Sequence, residues 1–528
     1  MKSRTLRTFI EVHTWVGLFS GFALFIAFYA GSLTVFTHEL QEWDDVSSWS
    51  SPADSPQSIQ RLVDATSASH PAMREFGLLL PGEHGPHAVL YWFEERPGEA
   101  REEHEFRLRN GQLTQGPATA QLASFIYRLH YTAGLPASWG IYVLGLVSVL
   151  YGVALATGVI VYAPGFVRDL FALRVGGSLK RLWQDAHNVV GVLSLPFHLI
   201  FAWSGGVLCL GLLLFVPFQY FVFDDKLSKI VGPDIDVVES APAAHVSEPM
   251  IPVAELLERA RQVLPGLDPD YIFFTQAGDA NAQATIYGSM AQRRLSSLGG
   301  VALDANTGAL LRAVEPDAYS PGAAFYRGLV SLHFAEFGRM AVRWLYFLLG
   351  MAGAFLFYSG NLLWIEARRN RRGAQQTRGS RFVAQLTLGV CLGCIAGISA
   401  AFVASRLAPE AWGGPASAVE IAYFATFFAS IAWSLLRPPS RAANELLIAC
   451  ALLTVLIPFA NAWTAGMPPW RSVAEGRWIV LTVDTLCVSF AWMFWRMSAA
   501  VRYREVHGDR NSLWALPGAR ASARLRKL

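Results

Sequence analysis

The sequence predicts an α-helical membrane bundle of about eight transmembrane helices with two small α+β domains on its outer side. Hydrophobic residues make up 53% of the 528-residue chain, and they come in long blocks rather than in amphipathic stripes. About twenty consecutive apolar residues cross the hydrocarbon core as a helix. Eight blocks qualify: 12–36, 139–162, 188–216, 340–364, 382–404, 418–436, 446–464 and 478–499. The first lacks a cleavage site and is predicted to stay as an anchor.

Basic residues set the expected orientation of these spans. They precede span one, fill the link between spans two and three, follow span four and close the chain: Lys2, Arg4, Arg7, Arg168, Arg174, Lys180, Arg181, Arg368, Arg369, Arg371, Arg372, Arg378, Arg520, Arg524, Arg526 and Lys527. Cytoplasmic loops are enriched in Lys and Arg, so both termini are expected in the cytoplasm of a bacterial inner membrane. Anionic lipid headgroups account for this charge, and no nucleic-acid partner is expected.

The hydrophilic segments 39–128 and 217–332 are each expected to form a periplasmic α+β domain. Segment 39–128 has fourteen acidic and seven basic residues, which agrees with an outward position. The predicted helices and strands are Ile59–Ser67, Val89–Phe93, Glu105–Leu108, Pro252–Leu264, Tyr271–Thr275, Ala284–Tyr287, Val301–Leu303 and Leu310–Ala313. Turns are expected at Asn110–Gly111 and at Asp304–Gly308.

The predicted order along the chain is span, domain, span, repeated once and followed by a further module. The boundaries are span one 1–38, domain one 39–128, span two 129–164, link and span three 165–216, domain two 217–332, span four 333–366, a C-terminal four-span module 367–500 and a basic tail 501–528.

An internal repeat is visible around the histidines of the first four spans. An acidic residue, a histidine and a glycine open span one as Glu11, His13 and Gly17, and their spacing recurs in span three. The residues there are Asp185, His187 and Gly191. The segment Phe125–His130 before span two likewise matches Leu329–Phe334, which contains His333, before span four. Each copy therefore places one histidine near the inner surface and one near the outer surface.

These histidines predict two b-type haems held between helices. Imidazole is the natural axial ligand of such a haem, and ionisable residues in spans indicate function. His13 with His187 forms the expected inner pair, and His130 with His333 the outer pair, about 30 Å apart by helix geometry. His198 lies eleven residues after His187, about 16 Å further along the same helix face, and is an alternative ligand in place of one outer histidine. Each of the five has a competing explanation as an ordinary interhelical hydrogen-bonding residue.

Other cofactor chemistry is less well supported by the sequence. The five cysteines, Cys209, Cys391, Cys394, Cys450 and Cys487, all lie in predicted spans, so no disulfide framework is expected outside the membrane. The CxxC formed by Cys391 and Cys394 is interpreted as packing. No CxxCH is present, which excludes covalently attached haem. Asp484 is the one acidic residue deep within a span, so a hydrolytic zinc site is not expected.

At several points the sequence resembles the PepSY-associated transmembrane family, and more narrowly its siderophore-reductase-like and iron-regulated members. The resemblance covers about residues 1–370 and does not extend to the last four spans. It is carried by Val12–Gly17, Leu129–Tyr131, Ala186–His187, Leu195–His198, Val301–Gly308 and Leu332–Gly338.

The resemblance implies a four-helix haem-binding core, two periplasmic PepSY domains and one-electron reduction of ferric siderophores in the periplasm. On this interpretation the protein is an oxidoreductase that releases Fe(II), with quinol or a cytoplasmic reductant as electron donor and lipids as its surroundings. The five histidines would hold the haem iron, and no side chain would act as a catalytic acid, base or nucleophile. The competing hypothesis is a permease, or an accessory or scaffold subunit of iron uptake, without redox activity.

Overall fold

The computed structural model describes residues 3–46, 54–82, 87–94, 102–109, 111–115, 121–163, 179–227, 237–290, 295–369, 376–408, 414–508 and 512–515. The chain divides into two compact units. The helical unit comprises residues up to Asp44, Gln121–Gly211 and the chain from Trp344 onward, and the sheet unit comprises Asp45–Ala120 and Leu212–Arg343.

The helices reproduce the predicted spans, most of them with longer ends. In chain order they are α1 Ser3–Thr34, α2 Thr37–Asp44, α3 Pro56–Ser69, α4 Gln121–Thr132, α5 Ala137–Tyr162, α6 Leu179–Leu193, α7 Leu195–Phe221, α8 Val253–Val263, α9 Pro321–Phe334, α10 Arg339–Ala367, α11 Arg378–Leu407, α12 Gly414–Leu436, α13 Pro439–Thr464, α14 Pro469–Ala474 and α15 Trp478–His507. Within the described residues, seven helices are long and apolar enough to cross a membrane: α1, α5, α10, α11, α12, α13 and α15. The protein is therefore a multi-pass membrane protein.

The predicted third span is not one straight helix. Residues 188–216 form the end of α6 and most of α7, and these two helices meet at Ser194 with a bend of 72°. Pro196 explains the break, because proline has no backbone N–H to donate and restricts the residue before it. The straight-helix separation of His187 and His198 predicted above is therefore wrong. The count of eight crossings holds only if the bent pair is a single span.

The sheet unit is built on one eight-stranded antiparallel sheet. Its strands are β1 Phe76–Leu79, β2 Val89–Glu94, β3 Glu102–Arg109, β4 Gln112–Gln115, β5 Leu267–Thr275, β6 Gln283–Met290, β7 Leu298–Asp304 and β8 Leu310–Val314. Their spatial order is β4-β3-β2-β1-β5-β6-β7-β8. Each half of the sheet therefore contains four strands that follow one another outward from the central β1–β5 pair. This is the order that a repeated unit produces.

The two outer segments were expected as separate domains, and this expectation is corrected by the sheet. β1 pairs with β5 in antiparallel register from Phe76 opposite Phe274 to Leu79 opposite Tyr271. Arg74 adds a second link, since its Nη1 donates to the carbonyl oxygen of Ala277 at 2.8 Å. The halves share one core, because neither half-sheet covers its apolar face alone.

The core of the sheet unit lies between one sheet face and two helices. Buried residues of α3 and α8 pack with alternate residues of the strands: Ile59, Leu62, Val63, Val253, Leu256, Leu257, Ala260, Phe76, Leu78, Leu90, Phe106, Ile272, Phe274, Ala284, Ile286, Val301 and Leu303. The core residues of β5, β6 and β7 alternate along each strand, as expected where one face of a strand packs against this core.

The predicted elements of the outer segments are present, with β1 and β4 as additions that the sequence did not reveal. The hairpin at the end of the second segment is confirmed by β7 and β8, where Leu303 lies opposite Leu310. The carboxylate of Asp304 accepts hydrogen bonds from the backbone N–H groups of Asn306 and Thr307 at 3.0 and 2.8 Å. Gly308 takes the left-handed conformation that closes the turn, with φ +72°. Of the predicted turn Asn110–Gly111, Asn110 lies outside the described residues.

Candidate functional site

His13 contacts α5 through one ring nitrogen. Its Nδ1 lies 2.9 Å from the carbonyl oxygen of Ala154, and the hydroxyl of Thr157 lies 3.5 Å from the same nitrogen. An added Cβ at Gly158 would lie 3.0 Å from Cε1 of the ring. A carbonyl oxygen only accepts, so Nδ1 carries the proton in this arrangement and Nε2 keeps its lone pair.

His187 contacts α10 in the same way. Its Nδ1 lies 3.1 Å from the carbonyl oxygen of Leu356 and 3.4 Å from the hydroxyl of Ser359. An added Cβ at Gly360 would lie 3.2 Å from its Cε1. On α10 the carbonyl residue Leu356 is followed by the hydroxyl of Ser359 at i+3 and by Gly360 at i+4. The residues around His13 on α5 have the same spacing. The internal repeat therefore extends to the helices that face the histidines.

The structure brings the two inner histidines together. The ring centroids of His13 and His187 are 6.3 Å apart, with an angle of 73° between the ring planes. Among the described residues neither Nε2 has a hydrogen-bond partner, since each ring uses Nδ1 for its helix carbonyl. Nε2 of each ring therefore keeps a lone pair that a ligand could use.

The spacing of the pair fits a metal held between two imidazoles. An imidazole nitrogen lies about 2.0–2.1 Å from bound zinc, and other first-row metals are similar. With about 1 Å from each nitrogen to its ring centroid, a metal in line between two rings puts the centroids about 6 Å apart. The described residues contain no group of three or more His, Cys, Asp or Glu side chains able to hold a metal. A metal held by this pair would therefore need its other ligands from a source other than these side chains.

His130 has a similar contact at the other end of α1. Its Nδ1 lies 2.7 Å from the carbonyl oxygen of Ala27. An added Cβ at Gly31 would lie only 2.5 Å from this nitrogen, so the site requires glycine. A carbonyl at i and a glycine at i+4 again fix the ring by Nδ1, which is how metal-ligating histidines are usually oriented.

His333 lies near the end of α9 in the sheet unit. Its side chain is half-buried, and its ring centroid is 5.2 Å from that of Phe334. His130 belongs to the helical unit, and the pairing of these two histidines stays a prediction.

His198 is fully buried and uses both ring nitrogens within the protein. The hydroxyl of Tyr151 lies 2.5 Å from Nδ1, and the hydroxyl of Ser194 lies 2.8 Å from Nε2. A ligating nitrogen needs a free lone pair. His198 thus differs from His13 and His187 in having both nitrogens engaged, and its role as an alternative ligand stays a prediction.

Sequence reasoning missed the residues that position the histidines. Thr157, Gly158, Ser359 and Gly360 share offsets in spans two and four, so a comparison of those two spans could have revealed them. Tyr151 carries no comparable signal, because a tyrosine in an apolar span is most often a packing residue.

The C-terminal module shows buried packing rather than a second histidine site among its described residues. The thiols of Cys391 and Cys394 are 1% and 0% exposed on α11, as the packing interpretation of the CxxC requires. Asp484 is also buried, and its carboxyl accepts a hydrogen bond from Asn461 Nδ2 at 3.0 Å. One carboxyl oxygen of this acidic residue is therefore paired by a neighbouring helix.

The fold and the site define a multi-pass membrane protein with a repeated helix–sheet unit and fixed histidines between its helices. Residues 10–367 match the PepSY-associated TM region family, and the chain belongs to that family. The match ends with α10, so α11 to α15 lie beyond it.

A curated relative shows the same extent of similarity. It is an uncharacterised protein of Pseudomonas aeruginosa, 25% identical over 398 residues, which cover 69% of this chain and 94% of the relative.

Proposed function

We propose that this protein is a di-haem b oxidoreductase of the inner membrane that passes single electrons to ferric siderophores in the periplasm. The observation that carries the proposal is the pair His13 and His187, 6.3 Å apart, each fixed by Nδ1 to a carbonyl of the facing helix. Bound haem would supply a one-electron carrier within the low-dielectric slab.

The side chains of the chain itself would hold and orient the cofactor. His13 and His187 would hold the inner haem through Nε2, and the hydrogen bonds at Nδ1 fix the ring planes and make Nε2 more basic. His130, with its own carbonyl partner, would serve the outer level together with His333. His198 is left out, because both of its nitrogens are bound to hydroxyls.

Reduction has a clear chemical use. Hard oxygen ligands hold Fe(III) much more tightly than Fe(II), so one electron per iron releases the metal from its chelate. The chelate would be met outside the membrane, where its charge stays hydrated. The electron donor would be quinol or a cytoplasmic reductant at the inner side.

The first test is the spectrum of the purified protein. We expect a dithionite-reducible b-type spectrum with two haems per chain by pyridine haemochrome assay. A colourless protein, after expression with haem supplied, would contradict the proposal and favour a permease or scaffold role.

The second test is electron transfer. Pre-reduced protein in nanodiscs should be re-oxidised by a ferric siderophore, with Fe(II) captured by a chelating dye. The His333→Ala variant should lose this step while the inner haem stays reducible by dithionite. Re-oxidation of that variant at the wild-type rate would remove His333 from the pathway.

The third test concerns topology. A reporter fused after Leu528 and another near Gly176 should both report the cytoplasm, and reporters near Ala100 and Ala280 the periplasm. The bent pair α6–α7 makes this test decisive, because seven crossings would place the two termini on opposite sides. A periplasmic signal after Leu528 would show that the bent pair does not cross the membrane.

A further inference from the structure

An arginine side chain is stacked on two indoles, one from α1 and one from α10. The guanidinium carbon of Arg368 lies 4.1 Å from the ring centroid of Trp364 and 5.7 Å from that of Trp15. The two indoles meet at 69°, with centroids 6.1 Å apart. Stacking orients a guanidinium while its N–H donors stay available at the edge.

Arg368 has no acidic partner among the described residues, whereas its neighbour does. Arg369 Nη1 lies 3.7 Å from a carboxylate oxygen of Glu366. The side chain of Arg368 is exposed, and Trp15 is 47% exposed. An anionic group can therefore reach the guanidinium.

The spacing along α10 connects this cation to the histidine pair. Gly360 faces the ring of His187, with an added Cβ at 3.2 Å from Cε1. Trp364 and Arg368 follow at i+4 and i+8, which lie within one broad stripe of a helix. Eight residues correspond to about 12 Å along the axis, so Arg368 lies about two turns beyond Gly360 on α10.

The partner helix contributes to the same cluster. Trp15 follows His13 by two residues on α1, so one indole comes from the helix that carries His13 and the other from the helix that faces His187. The two indoles and the cation therefore connect α1 with α10.

We propose that Arg368, held by Trp364 and Trp15, binds a carboxylate of the prosthetic group that His13 and His187 hold. This inference rests on the proposed function. Haem b is an apolar ring with two carboxylates at one edge, and a carboxylate next to an apolar slot requires a cation or water. A guanidinium forms two parallel hydrogen bonds with a carboxylate, which fixes the rotation of the ring about the iron axis.

The test compares Arg368→Gln with the matched control Arg369→Gln, which removes the same charge one residue away. The measurement is the midpoint potential of the bis-histidine haem in an optical redox titration of the full chain. Loss of a cation disfavours the added electron, so Arg368→Gln should lower the potential, while Arg369→Gln should change it much less. Arg368→Lys should restore most of the potential.

A second readout is the rate at which haem leaves the protein for apomyoglobin. The loss of a charge-assisted bidentate contact should make this transfer about tenfold faster in Arg368→Gln. The Arg368→Lys variant keeps the charge but cannot form the bidentate contact, so its rate of haem loss should lie between those of the wild type and Arg368→Gln.

Two outcomes separate the inference from the proposed function. Equal potentials and equal haem loss in Arg368→Gln and Arg369→Gln would overturn the role of Arg368. Haem binding by the protein would still be supported in that case. A wild-type protein without haem would overturn both. Size-exclusion profiles of each variant identify misfolding, and Trp364→Leu, which removes the stacking surface and keeps the charge, should then still show faster haem loss.

Discussion

The two copies of the repeated unit differ in the helix that carries the inner histidine. α1 is one continuous helix from Ser3 to Thr34, whereas α6 and α7 meet at Ser194 with a bend of 72°. In spite of this, the ring of each histidine contacts a carbonyl, a hydroxyl and a glycine that have the same spacing on the facing helix. The facing helix, and not the continuity of the histidine's own helix, therefore fixes the position of the ring.

The difference extends to the residue eleven positions after each inner histidine. The first copy has Leu24, which packs in an apolar cluster with Tyr151 and Ala202. The second copy has His198, which bonds to the hydroxyl of Tyr151. Gly353 occupies the place on α10 that Tyr151 has on α5, and its missing side chain leaves room for Phe28 and His198, 2.4 and 3.1 Å from an added Cβ. One copy is thus apolar where the other is polar.

The largest expected effect tests the equivalence of the two inner histidines. His13→Ala and His187→Ala should each remove or convert the same single haem, because losing either axial nitrogen weakens retention. Pyridine haemochrome stoichiometry should fall to the same value in both variants. His198→Leu is the control and should keep full haem content; unchanged haem in both alanine variants would show that the pair is not the ligand set.

Removing one partner of the Tyr151–His198 hydrogen bond should destabilise the protein. Tyr151→Phe leaves Nδ1 of His198 buried and unpaired, which should lower the free energy of unfolding by about 1–3 kcal/mol. The double variant Tyr151→Phe with His198→Leu, which copies Leu24, should recover much of this loss. Thermal unfolding in detergent measures both; additive losses would show that the hydrogen bond contributes little.

A smaller effect should distinguish the two glycines that face the inner rings. An added Cβ would lie 3.0 Å from His13 in Gly158→Ala and 3.2 Å from His187 in Gly360→Ala. Both contacts are tight, so each ring should rotate slightly, and more in Gly158→Ala. Low-spin electron paramagnetic resonance spectra should show the larger change in g values for Gly158→Ala, and the reverse order would contradict the geometry.

The smallest effect should come from the two hydroxyls. Thr157→Val and Ser359→Ala remove contacts of 3.5 and 3.4 Å that only supplement the carbonyl bonds. We expect small and similar shifts of the midpoint potential, below that of Gly158→Ala. A large shift in one variant alone would show that the two copies hold their histidines differently.

Much of the candidate site could be predicted from local spacing. The sequence places His13 and His187 at equal depth in the two copies of a repeat, and the structure brings them within 6.3 Å. Their Nδ1 partners could not be predicted, since Ala154 and Leu356 contribute backbone carbonyls, which every residue has. The engagement of His198 by Tyr151 depends on which helix faces which, and no local pattern encodes it.

The sequence by itself determined the spans and the hairpin of β7 and β8, because hydrophobic runs and turn residues act over a few neighbouring residues. Only the tertiary structure decided that the two outer segments share one sheet through β1 and β5, whose paired residues Phe76 and Phe274 are far apart in the chain. The same holds for the bend at Ser194 and for the stacking of Arg368 on Trp15. Contacts of this kind depend on how distant elements pack, and a single sequence carries little local signal for packing.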